Sequence, residues 1–307
     1  MSYISGFSSY VGEKTPIADL ADAEGYISSN IDELLNNGLA YYRKSNDLPY
    51  ELAVSAVQDF SSSKGFDLSE IEVVIYATST LWKREYSERE QMSDFLIKSG
   101  LENAYPIGVF GSGCANFHVA LKMASGLVDS GAHQNVLIVT TDVAGGQKTR
   151  VIDPNVSIAS DGAACALVSA DKRMDDAYKV GSVEMLYGSV LAHINPKEAR
   201  TEYFNEVAKG VKKTIRKTLE MDRLNVSDVS RVVTNNYNVN TLKMFTALAG
   251  FSESQLFFEC VEDYAHCFAS DSIICMNALH GSDASDDVVL VLGTGTQMWA
   301  GAMLYRD

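Results

Sequence analysis

Phe110-Gly111-Ser112-Gly113-Cys114-Ala115-Asn116-Phe117-His118 closes an apolar run that ends at Val109-Phe110. Two glycines, a cysteine and then an apolar-periodic segment predict strand, sharp turn, cysteine and helix. Phe117, Leu121, Ala124 and Val128 recur at spacings of four, three and four, as a buried helix face requires. Gly131 is the expected stop. Cys114 then stands at a helix N-terminus, where unpaired N–H groups and the macrodipole favour a thiolate. The flanking glycines leave room for a substrate. The competing reading is a small buried cysteine beside a packed glycine turn, the common fate of free cysteine.

Outward from this stretch, residues 71–77 and 135–142 are apolar runs of the kind expected of strands buried on both faces. Ser160-Asp161-Gly162-Ala163-Ala164 is a small-residue turn that leads into another strand. Helices are expected over 31–43, from Pro49 through Phe60, near 91–98 and over 203–219, with a charged stretch at 83–90. A short strand and turn are expected near Ser5–Val11. Part of this order repeats. Leu68-Ser-Glu-Ile-Glu-Val-Val-Ile lines up with Val226-Ser-Asp-Val-Ser-Arg-Val-Val 158 residues later, and Val136-Leu-Ile-Val with Val288-Val-Leu-Val 152 residues later. Each pair encloses a strand, a turn and a helix, the first holding Cys114 and the second His266. The pattern suggests a duplicated α/β unit with halves at 1–172 and 173–307, against chance similarity among generic strands. Duplication would bring the strand-end turns of the two halves to one crevice.

The 307 residues are 46% hydrophobic and 21% charged, ordinary for a globular chain and long for one simple domain. No apolar run approaches the ~20 residues that span a bilayer. The start, Met-Ser-Tyr-Ile-Ser-Gly, lacks a basic segment leading into an apolar one, so no secretory signal is expected. Five cysteines in apolar contexts match no CxxC metal pattern, so no metal site is expected, and reduced thiols in the cytoplasm are. A net charge of −15 argues against nucleic acid or an anionic membrane as partner.

Three loops of the second half follow predicted strands: Thr234-Asn235-Asn236-Tyr237-Asn238, Tyr264-Ala265-His266-Cys267-Phe268-Ala269-Ser270-Asp271, and Gly293-Thr294-Gly295-Thr296-Gln297-Met298-Trp299. Among five histidines, His266 is the candidate, placed between a strand and the apolar helix 273–279. Asp271, five residues on, meets it only if His266 is in the loop and Asp271 in the first helical turn. There the dipole favours a carboxylate, which fixes the imidazole tautomer. The alternative is a simple helix-end charge beside a satisfied loop histidine. His118 is expected to be packed or on the surface, and Cys267 to be packed. The loop at Gly293-Thr-Gly295 offers a backbone N–H to an oxyanion. It is no phosphate loop, because no Lys-Ser/Thr follows.

Together these residues resemble the thiolase superfamily, and within it β-ketoacyl-acyl-carrier-protein synthase III. The match covers about residues 65–307. It rests on the Gly113-Cys114-Ala115-Asn116-Phe117 turn, the strand at 136–142, Ser160-Asp161-Gly162, the Asn235 and His266 loops, and Gly293-x-Gly295…Trp299. The resemblance implies a duplicated, five-layered αβαβα sandwich, usually a homodimer. It implies an acyl-enzyme on Cys114, and an oxyanion hole from the N–H groups of Cys114 and Gly295. The acyl donor would be a thioester of coenzyme A or of the phosphopantetheine of an acyl carrier protein, with no permanently bound cofactor.

The departures matter. His-Gln-Ala-Asn of the condensing synthases is replaced by Asn235-Asn236-Tyr237-Asn238, and their Gly-Asn pair by Ala265-His266. Decarboxylating a malonyl thioester needs donors on its carbonyl as the enolate forms. The His266/Asp271 spacing instead resembles a Cys/His/Asp branch that moves acyl groups to hydroxyl, amine or thiol acceptors in specialised metabolism. Asn235 and Asn238 are then expected to position substrate. Two rivals stay open: a decarboxylating condensing enzyme in which His266 and Asn235 have exchanged places, and a silent subunit that only docks a carrier protein. For docking an acidic carrier, Lys209, Lys212, Lys213, Arg216 and Lys217 share one helix, although an ordinary solvated face explains them as well. Asn240 stands about where the family often has a docking arginine.

Overall fold

The structure, a computed structural model, describes residues 1–20, 28–79, 88–145, 150–152, 156–195, 198–281, 287–295 and 297–306. Most of the charged stretch at 83–90 lies outside them, as does Thr296 of the glycine loop. In chain order the strands of the first half are β1 (Tyr3–Val11), β2 (Glu13–Pro16), β3 (Tyr41–Lys44), β4 (Val73–Ala77), β5 (Tyr105–Val109), β6 (Asn135–Asp142), β7 (Val151–Ile152), β8 (Ser157–Ile158) and β9 (Gly162–Ser169). Those of the second are β10 (Tyr178–Tyr187), β11 (Arg231–Thr234), β12 (Leu256–Phe257), β13 (Val288–Thr294) and β14 (Met298–Tyr305). The helices are α1 (Ser28–Asn36), α2 (Pro49–Lys64), α3 (Glu88–Ser99), α4 (Asn116–Asp129), α5 (Arg200–Asp222), α6 (Val239–Ala247), α7 (Val261–Tyr264) and α8 (Asp271–His280).

Ten strands form one sheet in the order β5-β4-β6-β9-β1-β10-β14-β13-β11-β12. The order is a mirror about the β1–β10 seam. β4 pairs in parallel with β5 and β6, as β11 does with β12 and β13. β9 runs antiparallel to β6, as β14 does to β13. The similarity between 68–75 and 226–233 is therefore a similarity between strands in equivalent places. Each is preceded by its own short 3-10 turn.

Alternation along the strands builds the layers. Val74 and Tyr76 of β4 join Leu137 and Val139 of β6 in an outer core with Phe60 of α2 and Phe95 of α3. Ile75 and Ile138 turn the other way. They meet Phe117 and Leu121 of α4, Ile273 and Met276 of α8, and Val289 and Val291 of β13. Leu290 and Leu292 of β13 face the second outer core, with Val211 and Ile215 of α5 and Leu242 of α6. Helix, strand, helix, strand and helix layers follow, the five-layered α/β arrangement expected of a thiolase-like fold. The apolar runs lack a polar face because each side of a strand is covered.

Two expectations over the first 50 residues need correction. The helix expected over 31–43 ends at Asn36, because Gly38 turns the chain at φ 91 and Tyr41–Lys44 pair as β3 with β2. The short strand expected near Ser5–Val11 is a nine-residue strand at the centre of the sheet. Gly6 interrupts its register at φ 64, where a Cβ would fall 2.5 Å from the Phe60 ring. Ile17, Leu20, Ile31 and Tyr42, all from the first half by sequence, pack in the same core as α5 and α6.

Candidate active site

Cys114 sits where its stretch predicts. β5 ends at Val109, the chain turns, and Gly113–Ala115 make one 3-10 turn that leads into α4. The Asn116 Oδ1 accepts from the Ser112 N–H at 2.9 Å, folding the turn back on the helix. Gly113 is at φ 52, a conformation glycine adopts without strain. Cys114 is partly exposed, and the other four cysteines are buried. His118, one turn along α4, is fully buried against the Val291 carbonyl at 3.0 Å. Burial pulls its pKa down to about 4, so it is a neutral packed residue as expected.

The His266 loop is held by the first half. Its N–H donates to the Ile158 carbonyl at 2.9 Å, and its carbonyl accepts from the Ser160 N–H at 2.8 Å. The Ser160 hydroxyl donates to the Tyr264 carbonyl at 2.6 Å. Behind it, Arg150 grips Asp161 with two bonds at 3.1 and 2.7 Å, both side chains buried. Asp161 also takes the N–H groups of Ser45 and Ala144. The Ser160-Asp161-Gly162 motif is therefore a clamp on the histidine loop. The loop is strained as well as clamped: Ala265 lies at φ 46, ψ −150 and Phe268 at φ 53. The Ala265 conformation is one that essentially only glycine adopts freely.

Within that frame three side chains line up. Cys114 Sγ lies 3.0 Å from His266 Nε2, and His266 Nδ1 lies 2.5 Å from Asp271 Oδ2. Asp271 opens α8, and its other oxygen accepts from the Cys267 N–H at 2.7 Å. His266 and Asp271 are buried. Since Asp271 accepts, Nδ1 carries a proton and Nε2 faces the sulfur. Burial pushes His266 down, but the charges at Cys114 and Asp271 outweigh it and raise its pKa to about 10. Tyr237 and Phe268 flank the ring at 5.1 and 5.5 Å. Burial, and then the nearby Cys114 charge, push the Tyr237 phenol well up, so it stays protonated and donates to the Thr294 carbonyl at 2.6 Å. Cys267 is packed as expected, its thiol raised by burial first and then by Asp271. A sulfur, an imidazole and a carboxylate so linked can move a proton to and from the sulfur.

The remaining expected residues divide differently. Asn235 is fully buried and spent on the fold: its Nδ2 donates to the Phe268 carbonyl at 3.3 Å, and its Oδ1 accepts from the Thr294 N–H at 2.7 Å. Asn238 caps α6 by accepting from the Thr241 N–H at 2.8 Å. Both side chains thus also fasten the fold around the site. Gly295 lies against the Cys114 turn, where a Cβ would fall 3.8 Å from the Cys114 nitrogen. Its N–H, however, donates to the Met298 carbonyl at 2.7 Å, which closes the β13–β14 hairpin and withholds it from an oxyanion. On α5, Lys209 pairs with Glu206, Arg216 with Glu220 and Lys217 with Glu184, which leaves Lys212 and Lys213 as exposed cations. The docking face is thus largely neutralised. Asn240 donates to Asn37. Sequence reasoning missed Asn236 and Tyr237, and its only hint was a polar run directly after a buried strand.

Replacing Ala265 with glycine should relieve the backbone strain and outweigh the added chain entropy, raising stability by about 1 kcal/mol in denaturant unfolding. The His266 pair predicts a pH signature. Its folded pKa near 10 exceeds the unfolded value near 6.5. The stability it contributes is therefore complete below about pH 6.5 and lost as pH rises through about 10. The stability gap between the native chain and His266→Gln should shrink over that window, and a gap constant from pH 6 to 10 would contradict the pairing.

A sequence profile of 3-oxoacyl-[acyl-carrier-protein (ACP)] synthase III matches residues 110–186, from the cysteine turn into β10. β-Ketoacyl-[acyl-carrier-protein] synthase III of Azobacteroides pseudotrichonymphae genomovar. CFP2 is 26% identical over 258 residues, 76% of this chain and 75% of that protein. The crystal structure of 3-oxoacyl-[acyl-carrier-protein] synthase III from Aquifex aeolicus VF5 superposes with a TM-score of 0.82 at 18% identity, covering 100% of each chain. ChlB3, described as an acyltransferase, superposes with a TM-score of 0.82 at 18% identity, covering 99% of this chain and 97% of its own. At these identities the structural likeness is one of fold, and it extends over the whole chain, including the first 60 residues. In fold, in sequence relatives and in the profile matched at 110–186, the chain is similar to the β-ketoacyl-acyl-carrier-protein synthase III proteins of the thiolase superfamily.

Proposed function

We propose that this protein is an acyltransferase that carries its acyl group on Cys114 and hands it to a hydroxyl, amine or thiol acceptor in specialised metabolism. The observation that carries the reading is the unbroken line from Cys114 through His266 to Asp271. In the first step Cys114 Sγ attacks the carbonyl carbon of an acyl thioester of coenzyme A or of a carrier protein's phosphopantetheine. The new Sγ–C bond forms, the donor's C–S bond breaks, and the leaving thiolate takes a proton from His266 Nε2. In the second step Nε2 takes the proton of the acceptor, whose heteroatom attacks the acyl carbon and releases Cys114. Asp271 holds the imidazole upright through both steps. The Cys114 N–H, at the start of α4, is the oxyanion donor in this reading. Gly295 adds a second N–H only if the hairpin turn releases it. The halves 1–172 and 173–307 supply the sulfur and the imidazole respectively.

Transfer is favoured over decarboxylating condensation by the state of Asn235. An enolate needs a second neutral donor on the thioester carbonyl. The Asn235 amide is instead bonded to Phe268 and Thr294. This weighs against a simple exchange of places between His266 and Asn235. A docking-only role is disfavoured by the partly exposed cysteine and its aligned partners. The acyltransferase description of ChlB3 agrees with this reading.

Intact-mass measurement after incubation with a panel of acyl-coenzyme A donors should show one acyl adduct, absent in Cys114→Ala, and malonyl donors should yield no carbon dioxide. An undiminished adduct in Cys114→Ala would sink the proposal. Carbon dioxide released from malonyl thioester would favour condensation instead.

We also infer a homodimer. β5 is an edge strand of the sheet, and it carries Tyr105, 70% exposed, with Phe110 beside it at 39%. An apolar unpaired edge invites pairing with another copy. Light scattering should give twice the chain mass, and Tyr105→Asp should lower it. A native mass equal to one chain would end this inference.

A further inference from the structure

We propose that Asn236 is the positioning residue that aims Asp271 at His266; the proposal rests on the transfer reading only in treating that imidazole as the proton carrier. Asn236 is buried, and it gives Asp271 two bonds. Its backbone N–H donates to Oδ2 at 2.9 Å, and its side-chain Nδ2 to Oδ1 at 3.2 Å. With Cys267 N–H and His266 Nδ1, the carboxylate has four donors around it. Asn236 accounts for two of the four, one on each oxygen, so it fixes the tilt of the carboxylate as well as its place.

The side chain is itself held from behind. The Cys275 thiol donates to Asn236 Oδ1 at 3.3 Å, which assigns the amide so that Nδ2 faces Asp271. The Ser157 hydroxyl, from the first half, donates to the Asn236 carbonyl at 2.8 Å. Asn236 therefore links three segments: the first-half strand β8, the end of β11, and the start of α8. Its neighbour Asn235 ties the same loop to the glycine turn but makes no bond to the carboxylate. The chain reads Asn235-Asn236, and only the second amide serves the charge line. Losing Nδ2 leaves Oδ1 with one donor and frees the carboxylate to rotate off the imidazole.

Asn236→Ala removes the donor and some packing. Asn236→Leu keeps about the size and removes the donor without adding a charge beside Asp271. Three readouts separate positioning from mere support: thermal unfolding, the rate of Cys114 alkylation by iodoacetamide, and the titration of the His266 imidazole by nitrogen-15 NMR. Alkylation should slow about 10–100-fold in each variant, as supporting residues of a polarised histidine typically show. The His266 midpoint should fall by a pH unit or more in Asn236→Ala, because the imidazolium loses its oriented partner. Unfolding curves that shift while alkylation and titration stay native would overturn the proposal, as would native behaviour in all three. None of these readouts uses an acyl donor. A chain that takes up no acyl group yet shows these effects would refute the transfer reading and leave Asn236 in its role.

Discussion

The buried carboxylate of Asp271 is the constraint on which the rest of the site depends. A carboxylate out of water is costly unless its oxygens are satisfied. Here they are satisfied by His266, Cys267 and Asn236, which come from two different loops of the second half. The same bonds that make its burial tolerable also fix the imidazole beneath Cys114. Stability and reactivity are thus set by one arrangement, and the site cannot drift without exposing an unpaired charge.

That arrangement exists because the sheet is mirrored about β1 and β10. Parallel strands in each half release their loops at their C-terminal ends, and the mirror brings the two sets of ends together. Contact between the halves is then secured by backbone bonds at Ile158, Ser160 and His266, with the Arg150–Asp161 pair behind them. The strain at Ala265 and Phe268 persists because these anchors over-determine the loop.

The two amides that follow β11 do different work. Asn235 is a structural link between the Phe268 and Thr294 loops. Asn236, beside it, has turned to Asp271. One amide thus joins two loops, and the other supports the line from Asp271 through His266 to Cys114.

Much of this was legible in the sequence. Periodicity located α2, α4 and α5, the apolar runs gave β4, β6 and β13, and the repeat marked the duplication, because burial on two faces leaves a plain compositional trace. Cys114, His266 and Asp271 were recognisable as residue types at strand ends and a helix start. What the chain order could not convey was direction. Only the folded chain decided that Asn235 and Asn238 fasten loops, that the Gly295 N–H closes a hairpin, that Asn236 aims the carboxylate, and that the first strand lies at the centre of the sheet. The Asn238 cap and the Gly295 hairpin are local choices among competing acceptors, whereas the bonds from Asn235 to Phe268, from Asn236 to Asp271 and from Gly6 to Asp176 reach across 33 to 170 positions of chain, and local pattern carries no record of such distances.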